Sequence, residues 1–221
     1  MTKTGAAARP DLESHAESIW QWLEGHSRQA MYLAFGLLAI AGGFWFYQKA
    51  RATQTANASV ALLDAEEALN AGNLALAQSD LEKLNKRYEG TPASRQGLLL
   101  LAQVQYRQGH FEAGMATLQT LINSRDKYVV PGAYNMIGAG QEEQGKPVDA
   151  AASYRKAAEV AIYPADRDNY LANAARALTV AGKYDEARQI WTKLSTDESS
   201  PVVGEARVRL GELEAKSASK S

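Results

Sequence analysis

The 221-residue chain contains no cysteine, only 6 prolines and only 3 histidines. Without cysteine, a disulfide framework, a thiolate metal site and a cysteine nucleophile are all excluded. An excess of charge of one sign is also lacking, because 24 basic residues are balanced by 25 acidic residues. This balance gives no general attraction to nucleic acid. Abundant alanine, together with scarce proline and few β-branched residues, favours helix throughout the chain.

A long apolar run is present at residues 30–47, which read AMYLAFGLLAIAGGFWFY and carry no charge. As a helix rising ~1.5 Å per residue, this run would span about 27 Å, close to the hydrocarbon thickness of a bilayer. A helix also pairs its peptide groups internally, as lipid requires. We therefore expect a single transmembrane helix at 30–47, followed by a linker or helix extension at 48–57.

Two alternatives remain open for this run: a buried helix of a soluble protein, and a cleaved signal peptide. The motif Ala56-Asn57-Ala58 has the small-x-small form of a cleavage site. However, the flank before the run is about 29 residues long and contains four acidic residues, whereas a signal n-region is short and basic. The pattern favours an uncleaved anchor. Lys and Arg are nearly balanced on its two sides, so charge does not set its orientation.

The N-terminal flank, residues 1–29, contains the pattern of a short amphipathic helix. Its apolar residues between 11 and 24 share one helical face: Leu12, Ala16, Ile19, Trp20 and Leu23. Indole and phenol rings favour the headgroup layer of a membrane. The predicted membrane-interface residues are therefore Trp20, Trp22, Trp45 and Tyr47. An ordinary soluble amphipathic helix is the alternative interpretation of the flank.

Internal repetition follows the apolar run. Four glycines, each between two helical patterns, recur at spacings of 37, 36 and 37 residues: Gly72, Gly109, Gly145 and Gly182. Glycine permits the left-handed turn that ends a helix. A small residue stands five positions after each glycine and a large one nine positions after it, as closely packed hairpins require. The pairs are Ala77 and Leu81, Gly114 and Leu118, Ala150 and Tyr154, and Ala187 and Trp191.

These positions resemble the tetratricopeptide repeat, most clearly in the third repeat with Gly138 and Tyr154 and in the fourth with Ala175 and Trp191. Prolines break the helices between hairpins: Pro92, Pro131, Pro164 and Pro201. The predicted fold is all-α. After the transmembrane helix, a tetratricopeptide-like α-solenoid of about four helical hairpins plus a capping helix is expected over 58–215. A disordered tail is expected at 216–221.

The whole layout resembles a known bacterial family, the ancillary Sec-translocon subunit, a membrane-anchored tetratricopeptide-repeat-like protein. The closest likeness lies at 42–57, with its aromatic residues, Tyr47-Gln48 and an alanine-rich continuation. The resemblance implies a single-pass protein of the inner membrane, with a cytoplasmic N-terminus and a periplasmic repeat domain. It also implies association with the translocon and with periplasmic folding factors of the chaperone network, as well as with the lipid bilayer.

No catalytic or metal-binding constellation is evident. The stretch from Gly140 to Lys146 has the spacing of a phosphate-binding loop, but Pro147 stands where Ser or Thr would hold Mg²⁺. The histidines lack ligand partners at suitable spacing, and no Ser-His-Asp set can be argued. We therefore expect no enzyme activity, no cofactor, no metal and no nucleic-acid partner.

The remaining candidate site is a groove for protein binding. In tetratricopeptide arrays the first helix of each hairpin lines a concave groove, where amide and aromatic side chains can bind an extended peptide. The residues at the corresponding positions are Gln96, Leu99, Gln103, Tyr106, Asn135, Glu142, Asn169 and Arg176. Plain surface polarity explains them equally well. The expected function is a membrane-anchored protein-interaction module, and the alternative is a structural subunit that docks through its transmembrane helix.

Overall fold

The computed structural model describes residues 27–124 and 126–218, without the side chains at 27, 30, 33, 34, 217 and 218. Within these ranges, the regular elements are all α-helices, so the all-α prediction is confirmed. They are α1 (Ser27–Asn70), α2 (Leu74–Arg87), α3 (Pro92–Arg107), α4 (Phe111–Asn123), α5 (Val130–Glu143), α6 (Pro147–Val160), α7 (Pro164–Val180), α8 (Tyr184–Ser195) and α9 (Val203–Ala218). The amphipathic helix predicted within 1–29, with Trp20 and Trp22, lies outside the described residues.

The chain divides into two compact units, Met1–Thr53 and Gln54–Ser221. The described part of the first unit is helical and carries many exposed large apolar side chains: Met31, Tyr32, Phe35, Leu37, Leu38, Ile40, Phe44, Trp45, Phe46 and Tyr47. Over the residues that the structure describes, none of the helices has a stretch of sufficient length and apolarity to span a membrane. The transmembrane helix at 30–47 therefore stays a prediction, as does the interfacial position of Trp45 and Tyr47.

The second unit is built from helical hairpins, and the repeated glycines form their turns. Gly72, Gly109, Gly145 and Gly182 have φ angles of 76°, 78°, 71° and 75°, in the left-handed region where glycine is favoured. The residue after each glycine donates its N–H to the carbonyl five residues earlier, over 2.8–2.9 Å, as a Schellman turn requires. The predicted glycine turns are confirmed.

Proline and threonine define how the first helices of the hairpins begin. Pro92 and Pro164 are the first residues of α3 and α7, where the missing N–H costs no intrahelical bond. The Thr91 hydroxyl accepts a 3.1 Å hydrogen bond from the backbone N–H of Ser94 and so caps α3. Pro131 is the second residue of α5, and Pro201 lies in the turn two residues before α9. The predicted proline breaks therefore lie at or just before helix starts.

The core of the second unit follows the predicted pattern of small and large residues. Each small residue after a glycine is buried: Ala77, Gly114, Ala150 and Ala187. Each large residue is also buried, at 0–3 % exposure: Leu81, Leu118, Tyr154 and Trp191. Small residues let the two helices of a hairpin approach, and large ones fill the space within and between hairpins. Helix α9 ends the array and continues to Ala218, so the tail predicted from Lys216 is helical over its first residues.

Candidate protein-binding face

The first helices of successive hairpins lie side by side, because polar side chains bridge them. Gln96 on α3 donates to Glu66 on α1 over 3.2 Å, and Asn173 on α7 donates to Asn135 on α5 over 2.9 Å. Between these pairs, Gly140 on α5 lies against the ring of Tyr106 on α3, and Arg176 on α7 bonds to Glu205 on α9. The surface formed by residues 54–70 of α1 and by α3, α5, α7 and α9 is called here the first-helix face.

The predicted groove residues lie on these helices at different depths. Gln96, Glu142 and Asn169 are exposed, whereas Leu99, Gln103, Tyr106, Asn135 and Arg176 are half-buried. Leu99 packs against the cluster of buried residues that includes Leu118 and Leu121. All eight residues thus lie on first helices, whereas their arrangement as one groove and their contact with a peptide stay predictions.

A polar ladder crosses three helices of the face and includes residues that sequence reasoning missed. Asn173 lies between Asn135 and Arg176, and its Oδ1 accepts a 2.5 Å hydrogen bond from Arg176 Nη1. Arg176 then donates from Nε and Nη2 to the two carboxylate oxygens of Glu205 on α9, over 2.8 and 2.5 Å. This forked pair is the geometry in which arginine binds carboxylates most specifically. Helical spacing from Asn169 would have indicated Asn173, but no sequence signal fixes its partners.

Glu205 is the carboxylate shared by two arginines. Arg209 Nε lies 3.5 Å from Glu205 Oε1, and Arg209 Nη1 donates a 2.9 Å hydrogen bond to Glu212. The hydrogen bond from Arg176 is the largest influence that holds the pKa of Glu205 below its ordinary value. The carboxylate is therefore charged at neutral pH and keeps both guanidinium groups in place.

Tyr106 fills space between helices rather than projecting freely from the face. A Cβ at Gly114 would be 2.3 Å from the Tyr106 ring, and a Cβ at Gly140 would be 2.6 Å from its hydroxyl oxygen. The hydroxyl is buried and has no hydrogen-bond partner within the described residues. Burial raises the pKa of Tyr106 to about 12. Gly114 and Gly140 therefore both accommodate this one ring.

Glu142 is held by an aromatic side chain of its own hairpin. The Tyr154 hydroxyl donates a 2.6 Å hydrogen bond to Glu142 Oε2. Burial, followed by this bond to a carboxylate, raises the pKa of Tyr154 above its ordinary value. Glu142 therefore remains exposed to a partner, but only in the orientation that Tyr154 sets.

The chemistry of the face suits binding. Among residues 27–124 and 126–218, no group of His, Asp and Glu side chains is arranged to hold a metal ion. The side chains of the ladder are amides, guanidinium groups and carboxylates, which donate and accept hydrogen bonds along an extended chain. Such side chains can form hydrogen bonds with an extended peptide.

These features define the class of protein: an all-α solenoid of tetratricopeptide-like hairpins, typically a non-catalytic scaffold for protein–protein interaction. The family model described as a tetratricopeptide repeat-like domain matches residues 20–193, and the chain belongs to that family. The matched region begins before the apolar run, so it includes more than the hairpins.

Solved structures show the same fold at low sequence identity. A tetratricopeptide repeat protein from Parabacteroides merdae is similar with a TM-score of 0.56 and 16% identity over 72% of this chain. The chain spans 60% of the length of that protein. The MamA RS-1 ArsTM double mutant is similar with a TM-score of 0.51 and 13% identity, over 73% of this chain and 97% of the other. No curated protein sequence matches the chain.

Proposed function

We propose that the chain is a membrane-anchored protein-interaction module whose first-helix face binds partner proteins. The observation that carries the proposal is the polar ladder from Asn135 to Glu205, which places amide and charged groups across three helices of one face. Tetratricopeptide-like domains generally mediate protein–protein interaction. The ladder supplies the hydrogen-bonding groups that an extended partner segment needs.

The anchor in this proposal is the apolar run at 30–47. Its support is the uncharged sequence and the exposure of its large side chains, such as Phe35 at 64 % and Ile40 at 71 %. Each such side chain gains about 1.5–3 kcal/mol when it leaves water. Tethering would raise the local concentration of the repeats beside a membrane complex, so that weak contacts on the first-helix face suffice.

A more specific proposal concerns the cellular location and the partners of the chain. By its resemblance to the ancillary Sec-translocon subunit, the chain would lie in the bacterial inner membrane with its N-terminus in the cytoplasm and its repeats in the periplasm. Its partners would be the translocon and periplasmic folding factors of the chaperone network.

A second candidate function is a structural subunit of another membrane complex, which docks through the helix at 30–47. Its support is the small-residue pair Ala39 and Gly43, where a partner helix could approach closely. A Cβ at Gly43 would meet no atom within 4 Å among the described residues.

Affinity capture from gently solubilised membranes tests the proposal. The full-length chain should recover translocon components or periplasmic folding factors, and N169A/R176A should recover less of them because it alters the first-helix face. The control variant K193A changes an exposed residue of α8, outside that face. Recovery of no membrane or periplasmic partner by the unaltered chain would overturn the proposal.

Replacing 30–47 with an unrelated apolar helix separates the two candidates. If the partners remain, the repeats make the contact and the docking-helix alternative fails. If the partners are lost while the altered chain still sediments with membranes, the alternative is favoured.

A further inference from the structure

The last turn of the apolar run carries large side chains on every side of the helix. Phe44, Trp45, Phe46 and Tyr47 are consecutive, and they are 54–70 % exposed. Successive residues of an α-helix are rotated by about 100°, so these four rings together surround the helix axis. A groove on a partner protein would cover one side of the helix, whereas lipid covers all sides. The arrangement of the rings therefore favours a lipid environment at this end of the run.

Two cationic side chains lie over two of these rings. Lys49 Nζ is 5.0 Å from the centre of the Trp45 ring, and Arg51 Cζ is 5.3 Å from the centre of the Tyr47 ring. Both distances are within the range of ~6 Å for a cation–π contact. Because side chains on a helix point toward its N-terminus, each charge lies closer to the apolar run than its own Cα does. The cations are thus at the level of the aromatic rings.

In a membrane-spanning helix, this level corresponds to the headgroup layer of the bilayer. Tryptophan and tyrosine are enriched there, because their rings have an apolar body and a polar tip. The lipid phosphates lie in the same layer, and lysine and arginine donate charge-assisted hydrogen bonds to phosphate. Trp45 and Tyr47 are about 200° apart around the helix axis. The two cations would therefore contact different lipid molecules.

The charge of this segment favours anionic lipid over zwitterionic lipid. Between Arg28 and Asp64, the only charged residues in the sequence are Lys49 and Arg51. No carboxylate in this stretch of the chain balances the two cations. A zwitterionic headgroup carries its own cationic group beside the phosphate, whereas an anionic headgroup presents a net negative charge. Each Lys or Arg near an anionic membrane surface strengthens attachment on the order of fivefold.

We propose that Lys49 and Arg51 bind the phosphate groups of anionic phospholipids, each beside the aromatic ring that it covers. The ring holds its cation at the depth of the phosphates, so the two pairs set how far the helix enters the bilayer. This inference rests on the proposed function, because it names the class of lipid that the membrane anchor recognises.

Electron paramagnetic resonance of spin-labelled lipids tests the proposal. The full-length chain is reconstituted in phosphatidylcholine vesicles that contain a trace of labelled phosphatidylglycerol or of labelled phosphatidylcholine. The fraction of motionally restricted label measures the lipid that contacts the protein. Labelled phosphatidylglycerol should be preferred on the order of fivefold, and high salt should reduce this preference. Equal association of the two lipids would overturn the proposal.

Charge variants locate the preference. Lys49→Gln/Arg51→Gln should remove it, whereas the exchange Lys49→Arg/Arg51→Lys should keep it because both charges remain. The matched control is Lys86→Gln/Arg87→Gln on α2, which makes the same change of charge at two exposed residues, and Arg87 also lies over an aromatic ring, 5.5 Å from the centre of Tyr88. Equal loss of the preference in the control, or its persistence in Lys49→Gln/Arg51→Gln, would contradict the site.

Failure of the lipid site is distinguishable from failure of the proposed function. If the chain sediments with the vesicles but prefers neither lipid, the anchor stands and the two pairs do not select anionic lipid. If the chain does not sediment with the vesicles, the proposed anchor fails and the lipid site fails with it. If Lys49→Gln/Arg51→Gln keeps the lipid preference but loses a protein in affinity capture, the cations bind an acidic partner protein and the proposal is overturned.

Discussion

The ring of Tyr154 lies against Gly138 so closely that a Cβ at residue 138 would be 2.7–2.9 Å from its carbon atoms. The two residues come from α5 and α6, the two helices of the third hairpin. The repeat pattern therefore has a small residue at this position because the aromatic ring of the same hairpin occupies the space that a side chain would need. Because real Cβ atoms do not approach this closely, the pair sets the distance between the helices.

Gly138→Ala should therefore destabilise the second unit. The added methyl group must displace the buried Tyr154 ring, which typically costs ~1–3 kcal/mol. The matched control is Gly132→Ala in the same helix, where a Cβ meets nothing within 4 Å. That substitution should stabilise by ~0.5–1 kcal/mol because alanine is the better helix former. Chemical denaturation of fragment 54–221 measures both, and equal effects would contradict the packing described here.

Trp191→Ala should cost ~3–5 kcal/mol of unfolding free energy in the same fragment, because it removes a large side chain that is fully buried between hairpins. Tyr163→Ala is the control, since Tyr163 is aromatic but 57 % exposed. In thermal unfolding, the melting temperature should fall much more for Trp191→Ala than for Tyr163→Ala. An unchanged melting temperature for Trp191→Ala would contradict the repeat alignment.

The hairpin architecture was predictable because it depends on local rules. A left-handed glycine ends each first helix, and the size of residues at fixed offsets reports which positions are buried, as Ala77 and Leu81 illustrate. The ladder through Asn173 and Glu205 was not predictable. It depends on how far one first helix is displaced from the next, which no pattern within a single hairpin encodes.

The depth of Tyr106 in the structure was likewise not predictable from the sequence. Its position on the first helix indicated a groove residue, but two glycines on neighbouring helices allow its ring to sink between them. Gly114 is five residues beyond a turn, where other repeats have alanine, and Gly140 belongs to the next hairpin. Only the packed structure shows that both glycines accommodate one ring.

Ionisation of the Tyr106 hydroxyl should lower the free energy of unfolding at high pH. Its folded pKa of about 12 exceeds the ordinary value of 10.0, so the unfolded chain loses this proton first. The stabilising contribution is complete below pH 10 and is lost as the pH rises toward 12. Tyr106→Phe should remove this part of the alkaline loss, whereas Tyr128→Phe, at a side chain that is 68 % exposed, should not. Denaturant titrations of fragment 54–221 at several pH values provide the measurement, and identical alkaline profiles would refute the burial of this hydroxyl.

Glu205 should contribute a loss of stability at low pH. Its pKa lies below the ordinary value of 4.5, so its stabilising effect is present above that pH and is lost as the pH falls further. Glu205→Gln should flatten the acid limb of the stability profile, and Glu89→Gln, at an exposed turn position, serves as the control. An acid limb that is unchanged by Glu205→Gln would show that the pair with Arg176 contributes nothing to folding.

The central claim is that a membrane-held chain binds partner proteins through its first-helix face. Its most direct test is photo-crosslinking in carbonate-washed membranes, with a photoreactive residue placed at exposed position 169 on α7 or at exposed position 193 on α8. The account predicts that the chain remains in the membrane pellet and forms a discrete adduct with a translocon or periplasmic protein from position 169 but not from position 193. Adducts of equal yield from both positions, or full-length chain in the supernatant, would contradict it.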